Sequence, residues 1–110
     1  MTRQEALSLL VRFDGPLDAL RSNLAAFPFD WDGPPLATLS REHVLQVLAR
    51  WNAGELSAEQ IEGWANLLEG RDDLNHADGC VADAVFDLAN PELQGPIDLV
   101  APSVCKQLNA

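Results

Sequence analysis

The side chains in this chain that could do chemistry are two histidines, two cysteines and a surplus of carboxylates, and their spacing limits what that chemistry could be. Asp72, Asp73, His76, Asp78 and Cys80 fall within nine residues, placing carboxylate, imidazole and thiolate, all metal-ligand types, in one stretch. An EF-hand loop needs oxygen donors at alternating positions, Gly at the sixth and Glu at the twelfth, and no register starting at Asp72 or Asp73 supplies them. His76 and Cys80 would stand one turn apart on a helix, but two ligands do not close a zinc site. The expectation is a solvated turn with Asp78 as a helix cap, and no required metal or organic cofactor.

A second series, Glu59, Glu62, Glu69 and Asp72, reads ExxE and then ExxD. This resembles the motif pair of all-helical nucleotide pyrophosphohydrolases of the MazG type, in which two such pairs on different helices face one another around magnesium. The resemblance implies, as an alternative function, a metal-dependent nucleotide hydrolase. In the present chain all four acids belong to one helix and its exit, so the activity is not carried over. Nucleophilic catalysis has less to build on: neither His43 nor His76 stands near a nucleophile motif, there is no glycine-rich phosphate loop, and tyrosine is absent. His43, next to Glu42 in a first helical turn, reads as an exposed residue and not a base.

Charge is the stronger signal. Seventeen acidic against seven basic residues give a formal net charge of −10, which repels nucleic-acid phosphates and anionic lipid surfaces. From Glu55 to Glu92 ten carboxylates accompany a single basic side chain, Arg71, so one surface is expected to be strongly negative. Such a face either keeps the protein soluble or docks a basic protein, as in small acidic immunity proteins, antitoxins and adaptors. The residues expected to carry docking are Glu59, Glu62, Glu69, Asp72, Asp73, Asp83 and Asp87, with Phe29 and Trp31 as apolar anchors. A further alternative is a helical protein that is purely structural or associates with copies of itself. The 47% apolar content is that of a folded domain. Cys80 and Cys105 have no CxxC spacing, and the N-terminal apolar run, broken by Ser8, is no secretion signal or membrane span; the expected compartment is the cytoplasm.

These residues must be positioned by helices. Ser57 and Gln60 form a capping-box pattern with Leu56 and Ile61 as a hydrophobic staple, predicting a helix from Ala58 to a left-handed exit at Gly70. Ile61, Trp64, Ala65 and Leu68 share one face of it, and Glu59, Glu62, Asn66 and Glu69 another. Glu69 opposes the helix dipole, for which pairing with Arg71 or Arg50 would compensate. Thr2 with Glu5 caps a first helix, Pro16 restarts a second that stops near Phe27, and Ser40 caps a third that Gly54 ends. Residues 28–38, with three prolines, read as an extended ordered loop. Asp78 caps a helix that ends at Asn90 and Pro91, and Pro102 favours a last helix starting at residue 101 or 102. The fold expected over residues 1–110 is all-α, a single-domain bundle of five or six short helices. Its core is expected to include Leu10, Leu20, Leu24, Leu48, Trp51, Ile61, Trp64, Leu68, Val85 and Phe86.

Overall fold

A computed structural model describes residues 1–28 and 30–109. The order of elements is α1 (Arg3–Val11), α2 (Leu17–Ala25), β1 (Ala37–Leu39), α3 (Arg41–Asn52), α4 (Ala58–Leu68), β2 (Leu74–His76), α5 (Gly79–Ala89), α6 (Pro91–Gln94) and α7 (Ile97–Leu108). The chain is essentially all-α, with seven helices among the described residues. None of them is long and apolar enough to cross a membrane.

Local chemistry sets most of the helix starts. The Thr2 hydroxyl accepts the Glu5 N–H at 3.1 Å while the Glu5 carboxylate accepts the Thr2 N–H at 3.1 Å. Ser57 and Gln60 repeat this reciprocal pair at the start of α4, at 3.2 and 2.8 Å. Each box satisfies two N–H groups that helix geometry leaves without partners. The third box is less usual: Ser40 accepts the His43 N–H at 3.2 Å, and His43 Nδ1 accepts the Ser40 N–H at 3.0 Å. His43 is thus half-buried and capping, not the exposed residue expected. The Asp78 carboxylate caps α5 by accepting from Val81 N–H at 3.1 Å.

Two helix ends close alike, with different residues. After α3, Gly54 takes a φ of +84°, its N–H reaches the Trp51 carbonyl at 3.0 Å, and the Glu55 N–H reaches Arg50 at 2.9 Å. After α1 the corresponding residue is Phe13, at a φ of +47°, with the same bonds to Leu10 and Leu9. A bulky residue there is strained. Burial of the ring and the Arg50 guanidinium, which donates to the Phe13 carbonyl at 2.9 Å and lies 5.5 Å from the ring centre, offset that cost.

The structure differs from the sequence reading at four further places. Part of the proline-rich loop is a strand: β1 pairs in parallel with β2, Ala37 opposite Leu74, Thr38 opposite Asn75 and Leu39 opposite His76. Neither strand is long enough to show a period of two, and each is held by a partner remote in the chain. The last helix begins at Ile97, and Pro102 lies inside it. Pro102 is exposed and removes one N–H, which the helix tolerates because Val100, Ala101, Val104 and Leu108 keep their buried stripe. Phe86 is 43% exposed, because α5 turns Val81, Ala84, Val85 and Leu88 inward instead. Trp51 is half-buried at the edge of the core.

The other expected core residues are buried in one apolar cluster drawing on all the longer helices and both strands. Trp64 sits at its centre, with no exposed surface, its ring 6.0 Å from that of Phe13 and its indole N–H donating to the Leu10 carbonyl at 2.6 Å. Gly63 has a packing role: a Cβ there would stand 2.5 Å from a methyl of Leu17, so glycine lets α2 press against α4. The radius of gyration is 13.2 Å, against about 13 Å for a globule of this length.

Candidate functional site

The carboxylates expected to form one face part company in the fold. Asp73 is buried: Arg3 Nη1 donates to its carboxylate at 2.8 Å, and Arg71 Nε and Nη2 each donate at 3.0 Å. Burial pushes the Asp73 carboxyl up, but hydrogen bonds and charge from Arg71 and Arg3 outweigh it and hold the group below its usual range. Asp73 therefore fastens α1 to the exit of α4 and cannot serve as a surface contact. The sequence reading missed this because an Asp-Asp pair in a polar run looks solvated, and of the two arginines that make burial tolerable one, Arg3, is remote in the chain.

Phe29 lies outside the described residues. Trp31 is half-buried, with the Arg3 guanidinium 4.7 Å from its ring and its indole N–H donating to the Pro34 carbonyl at 2.9 Å. It closes its own loop and is not a free anchor. Glu69 and Asp72 are exposed at the exit of α4. Of the two cations expected for Glu69, Arg71 turns to Asp73 and Arg50 to Glu55.

Glu59, Glu62 and Asp87 do come together. They border a cleft of about 300 Å³ where α4, α5 and the first turn of α7 meet under Trp51 of α3. Ile61, Leu88 and Val100 line it as its most buried residues, Trp51 and Ile97 are partly exposed, and Asp98 adds a fourth carboxylate. Among the described residues no cationic side chain lines it. Burial raises the Asp87 carboxyl above its ordinary value, and the charge of Asp83 one turn earlier raises it further. The sequence reading did not place Asp98 or Trp51 here; their meeting depends on how α7 packs against α5 and α3.

Metal chemistry finds little support in this geometry. Among the described residues no three His, Cys, Asp or Glu side chains are grouped to hold an ion. Glu59 and Glu62 lie in the first half of α4 and Glu69 is its C-cap; even the nearest members, Glu62 and Glu69, are seven residues apart, about 10 Å at 1.5 Å per residue, so the ExxE and ExxD pairs do not converge. In the Asp72–Cys80 stretch, Asp73 is held by arginines and Asp78 is engaged by Arg41 at 2.7 Å and by the α5 cap.

Comparison with protein-family models, curated proteins and solved structures finds no match to this chain. The geometry of the cleft therefore carries the functional reading alone. Four carboxylates over an apolar base attract a cation that also has apolar surface to bury, and they repel phosphates. The volume is at the lower end of the range for small-molecule sites, about 300–1,000 Å³, and suits a side chain better than a nucleotide.

Proposed function

We infer that this protein is a small acidic binding module that docks a basic partner protein through the face formed by α4, the turn after it and α5. The supporting observation is the convergence of Glu59, Glu62, Asp87 and Asp98 on a cleft with a buried apolar base and no cationic lining residue. Glu69, Asp72 and Asp83, all exposed, extend the negative surface away from it. Long-range attraction would speed encounter with a basic partner, and charge-assisted hydrogen bonds would hold it in register.

The test is a cross-linked pull-down from the native cell at several salt concentrations. Wild type is compared with a variant carrying Glu62→Gln, Asp72→Asn, Asp83→Asn and Asp87→Asn. Asp73 is left intact, because its loss would unfasten the fold. The reading requires a basic protein that is captured by wild type, released by rising salt and lost by the variant. Equal capture by both proteins at every salt concentration reduces the face to a solubilising surface.

A further inference from the structure

Two cavities that differ in charge meet at Trp51. One is the acidic cleft; the other, between α3 and α7, is a groove of about 250 Å³ lined by Leu45, Leu48, Ala101, Pro102 and Cys105, with no charged residue. An apolar cavity of about 150 Å³ already accommodates benzene, so this groove has room for an aliphatic or aromatic side chain. Of the three tryptophans, Trp64 and Trp31 donate their indole N–H to carbonyl oxygens. Among the described residues no acceptor meets that of Trp51, which is not among the buried polar groups. Tryptophan combines a large apolar face with one hydrogen-bond donor and is over-represented among residues that dominate protein interfaces. Trp51 lines both cavities.

We propose that the partner is recognised through a short amphipathic segment, which places a lysine or arginine in the acidic cleft and a neighbouring apolar side chain in the α3–α7 groove, with Trp51 between them. Charge complementarity selects this occupant. An acidic segment would meet Glu59, Glu62, Asp87 and Asp98, and an uncharged apolar one would desolvate those carboxylates without a counter-charge. A second copy of this chain is disfavoured for the same reason, since it brings the same net charge of −10. The inference rests on the docking reading above but adds where the contact centres and what the contacting segment contains.

The experiment uses the full chain and blocked peptides carrying one leucine and one lysine separated by zero to three alanines, at physiological salt. Two counterpart series replace leucine with alanine or lysine with acetyl-lysine. Binding is followed by the Trp51 indole resonance and by backbone amide shifts. The expected result is saturable binding at one spacing, with shifts confined to residues around Trp51 and both counterparts weaker by about tenfold, the loss expected for an interface anchor. Trp51→Ala should lose at least as much. Trp51→Phe keeps a ring and should lose less, which guards against a misfolded variant. Equal binding of the acetyl-lysine series, or shifts that follow every exposed carboxylate, overturns the proposal. So does a native basic partner whose capture is abolished by neutralising Asp72 and Asp83 but unchanged by Trp51→Ala, and that last outcome leaves the docking reading standing.

Discussion

Trp64 is the largest fully buried side chain among the described residues, and its indole is hydrogen-bonded and stacked on Phe13. Trp64→Ala should cost about 3–5 kcal/mol, the range for removing a large buried aromatic; denaturant titration measures it, and a loss under about 1 kcal/mol would contradict the packing described. Asp73 is comparable for an electrostatic reason. Asp73→Ala would leave Arg3 and Arg71, both nearly buried, without their shared counter-charge, and removing one partner of a buried ion pair costs about 3–5 kcal/mol. The pH dependence follows from the sign of the shift. Because the folded Asp73 pKa lies below its ordinary 3.8, the stabilisation is complete above that value and is lost as pH falls through the folded pKa. Acid titration of wild type should show this added loss below about pH 4, and the alanine variant should lack it.

At the level of the element, the start of α3 couples a helix cap to protonation. His43 Nδ1 must be unprotonated to accept from the Ser40 N–H, and burial, followed by the charge of Arg12, lowers its pKa below 6.5. The cap's contribution is therefore complete above 6.5 and is lost as pH falls through the folded value. His43→Gln restores an ordinary capping box; stability near neutral pH should change by less than about 1 kcal/mol, while part of the loss between pH 7 and pH 5 disappears. His76, also shifted down by burial, contributes in the same direction. Identical pH profiles for the two proteins would show that the imidazole does not carry the cap. In α7, Pro102 has no N–H to offer the Asp98 carbonyl four residues earlier. Pro102→Ala should stabilise by about 2 kcal/mol, because interior proline costs about 3 kcal/mol and the variant's freer unfolded chain offsets part of that gain. A lower Tm in the variant would mean that Pro102 makes a packing contact worth more than the missing hydrogen bond.

For the whole molecule the governing quantity is a net charge of −10 within a body of 35 × 26 × 24 Å. At 0.01 M salt the screening length is about 30 Å, so carboxylates repel one another across most of the molecule; at 0.15 M it is about 8 Å and only neighbours interact. Tm should accordingly rise by a few degrees between those salt concentrations. A fall would mean that exposed ion pairs, such as Arg21–Asp18 and Arg50–Glu55, outweigh the global repulsion. The same screening would weaken a basic partner's association, so salt should move stability and binding in opposite directions.

Features set by neighbours in the chain were legible in the sequence. The Thr2–Glu5 and Ser57–Gln60 boxes, the Asp78 cap, the end of α3 at Gly54, the left-handed exit at Gly70 and the buried stripe of α4 depend on residues a few positions apart. Helix geometry brings such residues together wherever the helix later packs. The excess of carboxylates was equally plain, but not which of them share a surface. Tertiary structure decided that Asp73 is buried between two arginines, that Ala37–Leu39 finds Leu74–His76, and that Trp31 is covered by Arg3. It also decided that α7 returns Asp98 to Glu59, Glu62 and Asp87 beside Trp51. Each of these joins segments remote in the chain, and local propensity has no term for a contact made only when distant elements share one core.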